Sequence, residues 1–216
     1  MVWTTLDSEP MLPLAQDAAP RIDNYFVWAS FAEREMKKLG HSHVETLRGA
    51  IDTEYFFKVT DDYKSKLRKR FQISEDTFVI GFVFRNQLRK SVPNLLDGYA
   101  KFLKENPDSK AKLLFDTLWN QVWDILRLLK EKGIPLSNIL TTYFCSECEN
   151  YHVTSYQGEG QDCPYCKSEK TFNTTNVKAG VSEIQLNEIY NLMDVYCHPF
   201  TSGGQEIPVQ EAKLAE

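Results

Sequence analysis

From residue 77 onward the apolar and polar positions fall into runs that alternate between a strand pattern and a helix pattern. Residues 77–84, Thr77 to Phe84, form a continuous apolar run, as expected of a strand buried on both faces. A helical stretch follows over about 92–105 and closes at Asn106, Pro107 and Asp108. Residues 111–115 predict the next strand, 123–132 the next helix and 139–144 the strand after that. Ser182 opens a helix running to about Leu192, and 194–197 predict a further short strand. Strict alternation implies right-handed crossovers and a parallel sheet, so the expected fold class is α/β, a Rossmann-like doubly wound sheet. Before residue 60 the pattern is more mixed. Residues 25–29 predict a strand. Ser30 is placed to cap a helix that ends at Gly40, with Glu33 completing a capping box.

One stretch interrupts the alternation. Residues 143–172 hold Cys145 and Cys148, then fourteen residues, then Cys163 and Cys166. Two residues between cysteines let both sulfurs of a tight knuckle face one point, which is half of a tetrahedral zinc shell. Two knuckles close the shell with four thiolates, so the expectation is one structural zinc in a ribbon inserted at the carboxyl end of a strand. Two disulfides or four unrelated buried thiols would be the plainer alternatives. Asn150, Ser155, Gln157, Gly158, Gly160 and Gln161 offer little from which to build an apolar core. Metal would therefore supply the stability. Cys197 stands apart in an apolar strand pattern and reads as a buried small residue.

Composition narrows the partners. The chain has 216 residues, 42% hydrophobic and 25% charged, with a formal net charge of -5. That is ordinary for a globular protein and does not favour polyanion binding. Within the ribbon, Glu147, Glu149, Glu159, Asp162 and Glu169 outweigh Lys167 and Lys170, the wrong balance for nucleic acid. Lys64, Lys66, Arg68, Lys69 and Arg70 form a basic run, read as a solvated helix face, with peripheral contact to an anionic membrane through 64–70 as the sharper alternative. The opening residues, Met1, Val2, Trp3 and Thr4, lack the pattern of a secretory signal, and no apolar run approaches a membrane span. A reducing, cytoplasmic setting is expected, where paired cysteines suggest metal before disulfide.

In doubly wound sheets ligands bind at the carboxyl ends of the strands, close to helix N-termini. Two loops there carry candidate chemistry. Arg85, Asn86, Gln87, Leu88, Arg89, Lys90 and Ser91 follow the buried first strand, and the Arg85 guanidinium and Lys90 ammonium suit a diphosphate. Thr201, Ser202, Gly203, Gly204, Gln205 and Glu206 precede a helix that carries Glu211. Paired glycines allow backbone N–H groups to approach a ligand closely. Together the loops suggest a grip on phosphate at one side and sugar hydroxyls at the other.

At these residues the chain resembles the group 1 glycosyltransferases, enzymes with two Rossmann-like domains (the GT-B fold), and specifically their carboxy-terminal, donor-binding domain. Residues 78–91, 112–124, 180–194 and 199–212 carry the resemblance, and 50–56 resemble the family's hinge segment. The resemblance implies that Arg85 and Lys90 hold the donor diphosphate and stabilise the leaving group, and that Glu211 hydrogen-bonds the nucleotide ribose. It places Thr201, Gly203, Gly204, Gln205 and Glu206 against the donor sugar. It also implies transfer with retention, to a glycan, lipid or protein acceptor, without a catalytic metal. The ribbon follows a strand whose end in relatives faces the nucleotide base, so it is expected to flank the base pocket or the interdomain cleft.

Two departures qualify the match. The family's paired-glutamate motif has its first glutamate where this chain has Gly203, and Glu206 stands nearby in a different register. Residues 1–60 look like a remnant of the amino-terminal domain and hinge, with 61–216 a nucleotide-sugar-binding domain cut at its end. The leading expectation is a glycosyltransferase fragment binding a nucleotide-diphosphate sugar. The alternatives are a catalytically inactive Rossmann-like, zinc-ribbon module for protein interaction, and another nucleotide-sugar enzyme of the same fold, such as an epimerase.

Overall fold

The computed structural model describes residues 1–176 and 178–215. The chain divides into two compact units, 1–51 with 200–207, and 52–199 with 208–216. In the first unit, β1 (Val2–Thr4), β2 (Tyr25–Val27) and β3 (Glu45–Thr46) form a parallel sheet in that order. Helices α1 (Pro13–Ala18) and α2 (Ser30–Lys38) accompany it, over a core of Met11, Tyr25, Val27, Ala32, Met36 and Val44. The helix forms where expected and ends before Gly40 at φ +95°. Its predicted capping box does not form. Ala29 holds the N-cap position without a side-chain bond, and the Glu33 carboxylate turns to β3. There it accepts the backbone N–H of Thr46 at 2.9 Å, and on the helix it pairs with Lys37 at 2.7 Å. Two charge-assisted donors outcompete the single N–H that a capping box would offer.

The second unit carries the alternation read from the sequence. Its elements are α3 (Asp61–Arg70), β4 (Val79–Val83), α4 (Val92–Glu105), β5 (Lys112–Asp116), α5 (Ile125–Glu131), β6 (Ile139–Cys145), β7 (Tyr151–Thr154), β8 (Phe172–Thr174), α6 (Glu183–Leu192) and β9 (Val195–Tyr196). Helix α7 (Ile207–Ala215) follows. The sheet runs β7–β6–β5–β4–β9, with β8 also paired to β6. Strands β4, β5, β6 and β9 are mutually parallel, whereas β7 and β8 are antiparallel to β6. The chain thus builds outward from β4 to β6, then returns to add β9 on the other side of β4. This is a Rossmann-like, doubly wound order, and it opens a topological switch point between β4 and β9.

Continuous apolar strands make the core. Phe82, Leu113, Phe115 and Ile139 are fully buried beneath Leu96 of α4 and Ile125 of α5. Helix α6 begins with a formed capping box, Ser182 with Gln185. The basic run forms α3, and much of its charge is paired inside the fold. Arg68 is buried and meets Asp194 at 2.6 Å, Lys64 meets the same carboxylate at 3.0 Å, and Lys66 pairs with Asp62. Arg68, expected on a solvated face, is thus buried by its partner, while the Lys66–Asp62 pair stays on the exposed side of the helix. Among the described residues no helix is long and apolar enough to cross a membrane.

Strand β6 outgrows its neighbour. Its first residues pair with β5, and Tyr143 to Cys145 continue beyond that strand to pair with β8. The ribbon is therefore built on a strand of the Rossmann sheet. It also has more apolar substance than its central residues suggest. Tyr143, Cys145, Cys163 and Phe172 are buried together, and Tyr156 stacks on Trp119 at 3.8 Å between centroids.

Candidate functional site

The four cysteines converge. Their sulfurs all lie within 4.8 Å of one another, with Cys145–Cys166 and Cys148–Cys163 each at 3.7 Å. A zinc–sulfur length of about 2.3 Å implies tetrahedral edges of about 3.8 Å, so the donor set fits that ion. No disulfide is present among the described residues. Two donors point inward: the Tyr165 backbone N–H donates to the Cys163 sulfur at 3.4 Å, and the Asn150 side-chain amide donates to that of Cys148 at 3.4 Å. Lys167 and Glu149, just past each knuckle, have φ of +65° and +56°, the left-handed turns that close such knuckles. At Cys145 burial acts upward but is outweighed by hydrogen bonds from Thr171 and the knuckle N–H groups, bringing the thiol down to about 6. Burial pushes Cys163 up to about 11. Cys197 is half-buried beside the sheet core, as expected of a packing residue.

The second site lies at the carboxyl ends of β4 and β5. A cavity of about 490 Å³ is lined by Arg85 and Asn86 from the loop after β4, Asp116 and Thr117 from the end of β5, and Thr175 and Asn176 from the segment leaving β8. Asn86 positions this loop. It is fully buried, its amide donates to the carbonyls of Leu118 and Trp123 at 3.0 and 2.8 Å, and its oxygen accepts the Trp123 N–H at 3.0 Å. Arg85, next to that anchor, is exposed at the cavity. The ribbon reaches the same cavity through its return strand, because Thr175 directly follows β8 and its hydroxyl donates to Asp116 at 2.7 Å. Burial pushes the Asp116 carboxyl up, against that hydrogen bond. Thr117, which also lines the cavity, is buried with its hydroxyl unpaired.

Lys90 sits deeper. It is only 4% exposed, and its ammonium lies 3.0 Å from Nε2 of His198, in the loop after β9. The basic loop and the loop after β9 thus face each other across the switch point between β4 and β9, where ligands of such sheets bind. Glu211 on α7 accepts a 2.7 Å hydrogen bond from the Tyr190 hydroxyl of α6. Burial pushes its carboxyl up, and the Tyr190 bond partly offsets this. Pro208, one turn earlier on α7, lines the Arg85 cavity, while Glu211 does not.

The second candidate loop, 200–207, belongs to the first unit. Thr201 is exposed. Gln205 clamps Gly49, its amide oxygen accepting the Gly49 N–H at 3.2 Å and its nitrogen donating to the Gly49 carbonyl at 3.1 Å. Gly204 backs onto Thr5, 2.8 Å from where a Cβ would stand. A Cβ on Gly203 would fall on the Glu206 carboxylate. The space in which a residue-203 side chain would begin is thus already filled by Glu206. Asn86 as an anchor, Asp116, Thr175 and His198 were not legible as functional residues. His198 carried one signal, a histidine directly following a short strand at the carboxyl edge of the sheet.

Against known proteins, no family profile and no curated sequence matches the chain. Solved structures do. HepE of Anabaena in complex with UDP-glucose superposes with a TM-score of 0.62 at 13% identity, over 94% of this chain and 45% of that one. HepE with UDP and glucose gives 0.60 at 15% identity, with the same coverage. TarM gives 0.58 at 9% identity over 94% of this chain and 30% of that one. The amino-terminal domain of a trehalose-6-phosphate phosphatase of Candida albicans gives 0.58 at 12%. The likeness is one of fold, and this chain spans less than half the length of each of these proteins.

Proposed function

We propose that this chain is the donor-binding part of a retaining glycosyltransferase, taking a nucleotide-diphosphate sugar and passing the sugar to a glycan, lipid or protein acceptor. The observation that carries the reading is the switch-point arrangement: an exposed Arg85 on a cavity at the strand ends, and a buried Lys90 in the same loop that meets the loop after β9. UDP-glucose is the first donor to test, since the same fold holds UDP and UDP-glucose in HepE. In the transfer, the bond from the sugar's anomeric carbon to the diphosphate breaks and a bond to an acceptor oxygen forms. The acceptor hydroxyl's proton passes to water, and the diphosphate leaves with the bonding electron pair and its negative charge. Arg85 and Lys90 neutralise that charge, and stabilisation of this kind is often the largest catalytic term. Glu211 is assigned to the ribose, and Thr201, Gly203, Gly204, Gln205 and Glu206 to the sugar-facing loop. Glu206 takes over the task of the glutamate missing at Gly203, because its carboxylate occupies the space where that side chain would start.

Zinc, held by Cys145, Cys148, Cys163 and Cys166, is structural in this reading: four thiolates leave no open position, so it takes no part in the reaction. Nucleic acid is not a proposed partner. Calorimetric titration of the zinc-loaded protein with UDP, UDP-glucose and other nucleotide sugars tests the proposal. One diphosphate sugar should bind selectively, and Arg85→Ala should weaken it by about ten- to a hundredfold, the worth of a charge-assisted hydrogen bond. A cooperatively folded protein that binds none of them would favour the interaction-module alternative.

A further inference from the structure

We infer that His198 is a positioning residue for Lys90, fixing its ammonium where the donor diphosphate is to be held. The inference rests on the donor-site reading above. Lys90 is all but buried, and a buried ammonium must find acceptors close by. Its Nζ lies 3.0 Å from Nε2 of His198. The other ring nitrogen, Nδ1, lies 2.6 Å from the Tyr196 hydroxyl, which in turn donates to the carbonyl of Val83 at 2.9 Å.

The proton order of this chain follows from its far end. A carbonyl can only accept, so the single hydroxyl proton of Tyr196 points at Val83. The Tyr196 oxygen is then the acceptor for His198, and the ring carries its proton on Nδ1. Nε2 is left with its lone pair facing Lys90, which donates to it. The tautomer of His198 is thus set by the last residue of β4, two positions before Arg85, and relayed through the end of β9. The ring plane is fixed independently by Phe82, which meets it edge-on at 5.1 Å and 85°. Two strands that flank the switch point thereby jointly place one cation. Lysine needs this more than arginine does, because its ammonium is a compact point charge on a flexible stem.

A positioning role predicts a loss confined to the diphosphate. Binding of UDP and of uridine to the zinc-loaded chain is measured for the wild type, Lys90→Met, His198→Phe, His198→Gln and Tyr196→Phe. The wild type should prefer UDP to uridine, and Lys90→Met should abolish most of that preference. His198→Phe keeps the ring packing but removes the Nε2 acceptor that faces Lys90. It should lose about tenfold in UDP affinity while binding uridine as the wild type does. His198→Gln, whose amide oxygen can accept from Lys90, should restore most of the preference. Tyr196→Phe leaves the imidazole in place but frees its tautomer, and should lose a smaller part of it. UDP binding that survives His198→Phe and Tyr196→Phe but not Lys90→Met would overturn the inference. So would equal losses of UDP and uridine, or a Gln variant no better than Phe. A wild type that binds neither ligand would overturn the donor-site reading itself, and the inference with it.

Discussion

The Rossmann sheet and the cysteine ribbon share strand β6, yet different forces hold them. Around β4 and β5 the strands bury Phe82, Leu113, Leu114 and Phe115 completely, and helices cover them. Along the outer half of β6 the buried cluster shrinks to Tyr143, Phe172 and two cysteines. There, specific bonds replace bulk. Tyr143 donates to the Gly158 carbonyl, Thr174 is tied to Glu159, and Gly160 N–H donates to Asn173. The difference is one of size. Buried apolar area grows with the volume of a segment, and a hairpin of some thirty residues cannot enclose enough of it. A metal supplies the remainder at a single point.

The largest effect that separates the two regions is loss of the ion. Chelation, or Cys145→Ser, should remove stabilisation on the order of 10 kcal/mol from the ribbon. Hydrogen exchange should then show rapid labelling over residues 143–172 while β4 and β5 stay protected. Equal loss of protection in β4 would mean that the regions are energetically one. Next in size is Leu113→Ala, a cavity in the fully buried centre of β5. It should cost about 2–5 kcal/mol by denaturant unfolding and leave the ribbon's zinc affinity unchanged. A parallel fall in zinc affinity would break the comparison from the other side.

The smallest effect lies where the regions join, at the bond from Thr175 to Asp116. Burial raises the Asp116 carboxyl above its usual 3.8, so the folded protein keeps this proton to a higher pH than the unfolded chain does. Stability from this group is therefore full below about 3.8, falls as pH rises through the raised folded-state value, and stays lost above it. Asp116→Asn mimics the protonated form and lacks this component. Its melting temperature, measured against wild type, should gain steadily as pH rises through that window. A constant difference between the two would show that Asp116 does not titrate there.

Much of the architecture was legible because it depends on local pattern. The apolar run 77–84 read as a strand covered on both faces, and Ser182 read as the opening of a helix that the structure confirms. The knuckle spacing of the cysteines likewise fixed their convergence, since a two-residue turn brings its own sulfurs together. At Ser30 and Glu33 the same local logic failed, because a partner thirteen residues away, Thr46, offered Glu33 better donors. The site was legible by half. Arg85 and Lys90 stood out as a basic loop, but their opposite fates, one exposed at a cavity and one buried against a histidine, did not.

The sequence by itself determined the alternation of strands and helices, the four-thiol centre and the basic loop after the first buried strand. Each is a property of residues close together along the chain. Tertiary structure alone decided that β9 returns beside β4, and so brought His198 to Lys90 across more than a hundred positions. It alone laid Glu206 into the space beside Gly203 and ran the ribbon's return strand into the cavity through Thr175. No periodicity encodes such meetings. They follow from strand order, which is settled by how the whole set of apolar faces can be buried at once.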